Sequence, residues 1–405
     1  MLDNYSINKL FELPDDFFVQ ETISNDNTVI HITIRRQPQI CPACGKETSL
    51  VHDYREQVVA DISHLGKPFH MIFRKRRYVC SCGKRFYEKN SMLSRYQRQT
   101  DRLRMHILAA FTDMKSTTQI AEDNFISSGI ASRIFRQLHY PKPSSLPSVI
   151  AIDEFRGNVQ EKFQCILADP MKHEVLDIIS SRDSEELHAW FNQYPLKERK
   201  KVRYIVMDLS PLFRSVMKSC FPKAKIIADK FHTVRMITQA LDKVRKDVQK
   251  QFGRHRRISF KRSKSILLKQ QYLLSDEEKD RLAIMLQASD RLRQAYSLKE
   301  LFYDVMDSRT RSEFRARLGW FIYEVEDAEM PEFQRHVETL RNWAKEIELA
   351  VLTGCSNGYV EGCNNRTKVL KRICYGFRNF RVFRNRILYI ANNTKLKRKN
   401  RCKTR

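Results

Sequence analysis

The sequence predicts a multidomain α+β protein. A mixed α/β core is joined to a long all-helical stretch and lies behind a cysteine-bearing β segment and a pair of short helices. Three observations predict it. Apolar runs ending in acids alternate with helical segments from Val149 to Asp229. From Val234 to Ala350 the pattern is almost wholly helical, heavily charged and interrupted by one proline, Pro331. Near the N-terminus four cysteines stand in two close pairs, Cys41 with Cys44 and Cys80 with Cys82.

A chain of 405 residues has length for about two to four domains and for a real hydrophobic core. Its 42% apolar content, with few glycines and prolines, says globular rather than fibrous or disordered. Lys and Arg number 74 against 47 Asp and Glu, a net charge of +27. Such a surplus suits a polyanion, most commonly nucleic acid, though a membrane surface or a ribosome would account for the number equally well. No run of about 18 apolar residues occurs, so no membrane span is expected. Met1 to Asp16 lacks the basic-then-apolar order of a signal peptide. Ten cysteines spread over this length fit reduced thiols, and hence a cytoplasmic protein.

The two cysteine pairs each sit beside glycine. A Cys-x-x-Cys bend converges two thiolates, and a second bend completes a closed tetrahedral site for one structural Zn²⁺. Cys41, Cys44, Cys80 and Cys82 are the expected ligands, although the second pair is one residue tighter than usual. Strand-like runs at Ile30 to Arg35 and Phe69 to Val79 suit zinc-ribbon hairpins. Four reduced cysteines in β-turns, or a redox pair, are the competing readings. His52, His64 and His70 are expected to be surface or packing residues rather than ligands.

From Asp101 the period becomes helical, with Leu103, Ile107, Leu108, Phe111 and Met114 on one face. Ser116 to Glu122 starts with capping residues, Phe125 to Ser128 turns, and Ile130, Ile134 and Leu138 form a second stripe flanked by Arg133 and Arg136. Two helices about a tight turn, the second with exposed arginines, read as a helix-turn-helix with Arg133 and Arg136 on DNA; any packed helix pair is the bland alternative. Prolines 141, 143 and 147 with serines 144, 145 and 148 then mark a linker.

After the linker, Val149–Ile152 runs into Asp153-Glu154, and two further strand candidates follow at Phe163–Ala168 and Val175–Ser180. Ser184–Gln193 reads as a helix, Tyr204–Asp208 as a strand, Pro211–Cys220 as a helix and Lys225–Asp229 as a strand. That is the order of an RNase H-like α/β catalytic core, with acids at strand ends. Ser356-Asn357-Gly358 then signals a helix start, with Glu361 in its first turn. A hard divalent cation needs oxygen ligands, and phosphoryl transfer gains most from two such ions flanking the scissile phosphate. Asp153, Asp208 and Glu361 can meet there if the two strands are neighbours and the helix packs on the sheet. A lone strand-end acid is ordinarily an exposed cap or turn residue.

The motifs Asp153-Glu154-Phe155, Met207-Asp208-Leu209-Ser210, Ala228-Asp229-Lys230-Phe231-His232 and Asn357 to Asn365 resemble those of insertion-sequence transposases of the ISL-three family. Tyr375 to Arg384 and the paired cysteines resemble that family too, so the likeness covers essentially the whole chain. It implies a DDE transposase that binds the terminal inverted repeats of its element and catalyses cleavage and strand transfer. The implied triad is Asp153, Asp208 and Glu361, holding two Mg²⁺ or Mn²⁺ ions with Asp153 shared between them. The implied partners are element-end and target DNA, with a homo-oligomer, dimer or higher, in the synaptic complex. The resemblance also makes the helical stretch an insertion within the core and places the protein in a bacterial cytoplasm, on the nucleoid when DNA-bound. Asp229 and His232 resemble an Asp-x-x-His element of related transposases, with support of the site as one role and helix capping and packing as the other.

Beyond Glu361 the chain has no acidic residue. Phe377, Phe380, Phe383 and Ile387 read as an inward helical stripe, and Arg378, Arg381 and Arg384 as a parallel stripe for phosphate contact. Arg254 to Arg257, with Lys261, Arg262 and Lys264, form a second basic strip. The expected domains are a zinc-binding domain at 1–95, the helix-turn-helix at 96–145, core at 146–233, helical insertion at 234–350, core again at 351–395 and a basic tail at 396–405. Two competitors are a retired transposase acting as a DNA-binding regulator and an RNase H-like nuclease without strand transfer.

Overall fold

The computed structural model describes residues 8–9, 13–24, 28–92, 98–157, 162–253, 260 and 263–403, with the backbone alone at 21–24 and 394–403. It has two compact units. Residues 1–140, 369–376 and 385–405 form one, and 141–368 with 377–384 form the other. The basic strip at 254–257 and 261–262 lies outside the described residues, as do the side chains of the basic tail.

The first unit begins with strands β1 (Phe17–Ser24) and β2 (Thr28–Ile34), then a small hairpin of β3 (Gln39–Ile40) and β4 (Glu47–Thr48). Strands β5 (Val51–His64), β6 (Lys67–Val79) and β7 (Arg85–Tyr87) follow. The main sheet runs β1-β2-β6-β5, with β7 also on β6. Strict alternation turns Ile30, Ile32, Met71 and Phe73 onto one face, where they pack with Phe17 and Val59. Each such burial contributes roughly 1.5–3 kcal/mol. Asp61 on β5 is buried and accepts hydrogen bonds from Thr100 Oγ1 and the Arg102 guanidinium. Three short helices follow: α1 (Asp101–Ala110), α2 (Thr117–Asp123) and α3 (Ser128–Arg136). Thr100, Ser116 and Ser127 cap them, Ser116 in a reciprocal capping box with Gln119.

The second unit holds β8 (Val149–Arg156), β9 (Phe163–Asp169), β10 (Glu174–Ile179), β11 (Tyr204–Met207) and β12 (Lys225–Ala228) in the order β10-β9-β8-β11-β12. The first three strands pair antiparallel, while β8, β11 and β12 run parallel. Helices α4 (Ser184–Asn192), α5 (Leu196–Arg199) and α6 (Pro211–Cys220) make the connections. From α7 (Lys230–Gln251) every described element as far as Thr353 is helical. These are α8 (Ser263–Leu268), a 3-10 turn, α9 (Asp276–Gln287), α10 (Asp290–Met306), α11 (Arg311–Asp327), α12 (Pro331–Gln334) and α13 (Val337–Thr353). Ile150 and Met207 of the sheet share one continuous core with Ile237, Val244, Phe302 and Trp343 of the helices. Strands buried on both faces read as unbroken apolar runs, as β8 does at Val149–Ile152.

Helices α14 (Gly358–Ile373) and α15 (Phe380–Lys403) close the chain. Tyr375 and Gly376 between them have φ of 53° and 93°, so the helix expected to include Phe377 and Arg378 starts only at Phe380. In the first unit α15 buries Arg386, which donates to the carbonyls of Asp113 and Lys115 and lies 4.6 Å from the Phe111 ring centre. No helix among the described residues is long and apolar enough to cross a membrane.

Candidate functional site

Strand register brings three aspartates together in the second unit. Ala151 pairs with Val206, and Met207 with Ala228. Carried on by one or two residues, these registers set Asp153, Asp208 and Asp229 side by side on neighbouring strands, about 5 Å apart. Asp208 and Asp229 follow the last residues of β11 and β12 as expected. Asp153 differs: β8 continues past it to Arg156, because its other edge still pairs with β9. Pleat alternation sends Glu154 the other way, to an ion pair with Arg182 at 2.8 Å.

The three carboxylates have different surroundings. Asp153 is buried; burial, then the neighbouring Asp208, pushes its carboxyl up to about 7. Asp208 is also raised, chiefly by burial, and its Oδ1 is buried without a hydrogen-bond partner in the protein. Burial would raise Asp229 too, but hydrogen bonds from His232 and the Asn357 amide outweigh it and hold the group below its ordinary value. Asp229 caps α7, and its Oδ2 lies 2.9 Å from His232 Nδ1. That bond in turn raises the His232 pKa.

Glu361 lies in the first turn of α14 and is exposed. Positions 357, 361 and 364 share one helical face. On that face Asn357 Nδ2 donates to the Ile152 carbonyl at 3.1 Å, and Asn364 Nδ2 to Asp153 Oδ2 at 2.8 Å. Glu361 therefore stands between two residues that contact β8. Among the described residues, only the cysteine quartet brings three or more ligand atoms within 4.8 Å of one another, so the three acids do not converge that closely. Asn357 and Asn364 were not foreseen from sequence. The sequence marks Asn357 as a helix start and both asparagines as members of the motif around Glu361, but not as donors to β8.

In the first unit Cys41, Cys44, Cys80 and Cys82 form that quartet, with Sγ separations of 3.7 Å for Cys41–Cys82 and 3.5 Å for Cys44–Cys80. Four sulfurs at about 2.3 Å from a tetrahedral Zn²⁺ stand about 3.8 Å apart, so the donor set fits. The amides of Gly45 and Gly83 close the two knuckles onto the Cys41 and Cys80 carbonyls, both glycines at positive φ. The Cys82 amide leads the interactions that draw the Cys80 thiol down to about 6. None of His52, His64 and His70 joins the cluster.

Arg133 and Arg136 are exposed on α3, and Arg133 lines a cleft of about 460 Å³ with Arg98, Arg104 and Gln137. Arg378 and Arg381 are exposed in the second unit. Arg384 is not part of an outward stripe. It turns in to the buried Asp177, its Nε 2.5 Å from Oδ1, while the Trp190 indole donates to Oδ2. The break at Gly376 removes Arg378 from the helical register on which the stripe depended.

Known families match both parts of this geometry. Residues 150–387 match the ISL3 family described as transposase, and residues 37–82 match the zinc-finger of transposase IS204/IS1001/IS1096/IS1165. The first match spans more than half of the chain and sets its class, the transposases of insertion sequences. The chain belongs to the ISL3 family. It is 27% identical over 376 residues to the transposase for insertion sequence element IS1001 of Bordetella parapertussis, covering 87% of this chain and 89% of that one. It is 22% identical over 253 residues to the transposase for insertion sequence element IS1557 of Mycobacterium tuberculosis, 57% of each chain. A 117-residue stretch is 33% identical to a Lactococcus lactis protein named ATP-dependent protease, 29% of this chain and 36% of that one.

Proposed function

We propose that the protein binds the terminal inverted repeats of its insertion sequence and catalyses divalent-metal-dependent DNA cleavage and strand transfer. Asp153, Asp208 and Glu361 are its catalytic acids, carried on an RNase H-like core. The observation that carries this reading is the register that sets Asp153 beside Asp208, with Glu361 on the α14 face that contacts β8. The catalytic core is read as residues 146–233 and 351–395, with 234–350 inserted, and α2 and α3 as the helix-turn-helix.

The acids fit a hard cation. All are oxygen donors, Asp208 Oδ1 is a buried acceptor without a protein partner, and Asp153 is pushed up by burial and by its like-charged neighbour. Magnesium or manganese, when bound, supplies Lewis acidity for a water or 3′-hydroxyl nucleophile and offsets charge on the leaving oxygen. Asp153 and Asp208 are the fixed ligands, held by strands within a buried core. Glu361, on an exposed helical turn, completes the set. Asp229 is the weaker candidate for third ligand, since its Oδ2 is paired with His232, whose raised pKa favours a positive charge there that would compete with a metal cation. It supports the site by keeping His232 in place and the α14 start anchored.

Zinc has a separate, structural role in shaping the ribbon that joins α3 in end recognition. The exposed Arg133 and Arg136 contact DNA there, and Arg378 and Arg381 contact phosphates. Cutting two element ends calls for two sets of acids, which a homo-oligomer, dimer or higher, supplies. The test is incubation of purified protein with its element-end DNA and Mn²⁺. Cut ends and joined products are expected. End binding with neither product would favour a DNA-binding regulator instead.

A further inference from the structure

Helix α14 meets the acid-bearing sheet through amides. Asn357 and Asn364 are buried, at 2% and 5% exposure, beside the buried Asp153 and Asp229. A primary amide taken out of water costs free energy unless it is hydrogen-bonded. Each here spends its NH₂ on the sheet: Asn357 on the Ile152 carbonyl, Asn364 on Asp153 Oδ2. The Asn357 backbone N–H adds a bond to Asp229 Oδ1 at 3.1 Å. Asp153 Oδ1 meanwhile accepts from the Glu154 amide at 2.9 Å. Both Asp153 oxygens are thus oriented by neutral donors, and each keeps acceptor capacity.

The neutrality of the donor matters. A lysine or arginine at 364 would place a fixed positive charge against Asp153 and compete with a divalent ion. An aspartate would add to the repulsion that already raises Asp153. An amide orients the carboxylate without doing either, and it sits one turn beyond Glu361 on the same face. The same contact therefore fixes the plane of one acid and the approach of another.

We propose that Asn364 is a positioning residue of the acid site, aided by Asn357, which aligns Asp153 for the divalent ion and sets the helix that carries Glu361. The proposal rests on the reading of Asp153, Asp208 and Glu361 as the active-site acids. Loss of a residue that orients a metal ligand lowers metal affinity roughly 10–100-fold.

The test is Mn²⁺ titration of full-length, zinc-loaded protein bound to element-end DNA, with free Mn²⁺ read by electron paramagnetic resonance. Asn364→Ala should weaken Mn²⁺ binding roughly 10–100-fold and slow single-turnover cleavage, with excess Mn²⁺ restoring part of the rate. End-DNA affinity should stay as in the wild type. Asn364→Leu removes the amide at similar volume without opening a cavity, so it keeps the test decisive if the alanine variant folds poorly. It should show the same Mn²⁺ loss while binding end DNA like the wild type. Wild-type Mn²⁺ affinity in Asn364→Leu would overturn the proposal. Asp153→Asn, run alongside, separates the two claims: if it too binds Mn²⁺ like the wild type, the acid-site reading itself fails.

Discussion

Asp153 and Asp208 stand side by side on adjacent parallel strands, and burial together with that neighbour pushes the Asp153 carboxyl up to about 7. Between its ordinary value of 3.8 and about 7, the folded protein holds a proton that the unfolded chain has released. Stability without a divalent ion at the acids therefore falls as pH rises through that window. Asp153→Asn removes the penalty, worth on the order of a few kcal/mol at full ionisation. With zinc retained and Mg²⁺ absent, its melting temperature should exceed the wild type's at pH 8 and converge with it near pH 4. A lower melting temperature at pH 8 would contradict the reading of a repelling pair.

The cysteine quartet predicts about one equivalent of zinc per chain by metal analysis. Cys41→Ser should lose the metal and specific end binding together, since the ion ties the two knuckles to one point. Non-specific DNA affinity, measured on unrelated duplex, should change little. Reduced, active protein without zinc would end this assignment.

The arginines of the second unit should separate into two behaviours. Replacing exposed Arg378 and Arg381 by alanine should weaken binding to all DNA sequences alike and flatten its salt dependence. Arg384→Ala should act on stability instead, by roughly 3–5 kcal/mol, because it leaves Asp177 buried without its cation. Salt titrations of DNA binding and denaturant unfolding distinguish the two. A normal midpoint for Arg384→Ala would show that the ion pair does not hold this segment.

Arg133 and Arg136 lie exposed on α3 and are proposed to read or flank the end sequence. A base-reading arginine is worth roughly 1–3 kcal/mol of discrimination. Each alanine variant should then lose preference for end DNA over scrambled DNA. Equal loss on both substrates would assign the pair to phosphate contact.

What was legible in the sequence follows from the range of the interactions. β8, β11 and β12 are unbroken apolar runs before acids, because their environment is buried on both faces. The capped start of α2 at Ser116 is legible because caps are local, whereas the caps at Thr100 and Ser127 were not singled out. β5 was not singled out, since His52, Asp53, Arg55 and Glu56 mask the alternation and its buried residues come only late in the strand. Asn357 and Asn364 bond to partners 205 and 211 positions away, and an amide leaves no periodic trace. The phenylalanine spacing starts the last helix too early, at Phe377, because Asn379, which accepts from the Val382 amide and caps the helix, sits inside that spacing. That same misreading put Arg384 in line with Arg378, when its partner is Asp177.

The central claim is that three acids, with Glu361 the third, perform the chemistry. Asp153→Asn, Asp208→Asn and Glu361→Gln keep side-chain size and remove the charge that binds a divalent ion. The most direct measurement is cleavage of element-end DNA in Mn²⁺ by Glu361→Gln, with end binding measured on the same preparation. The account predicts wild-type end binding and loss of both cleavage and strand transfer. Near-normal cutting by Glu361→Gln would contradict it and would move the third ligand to another acid, Asp229 first.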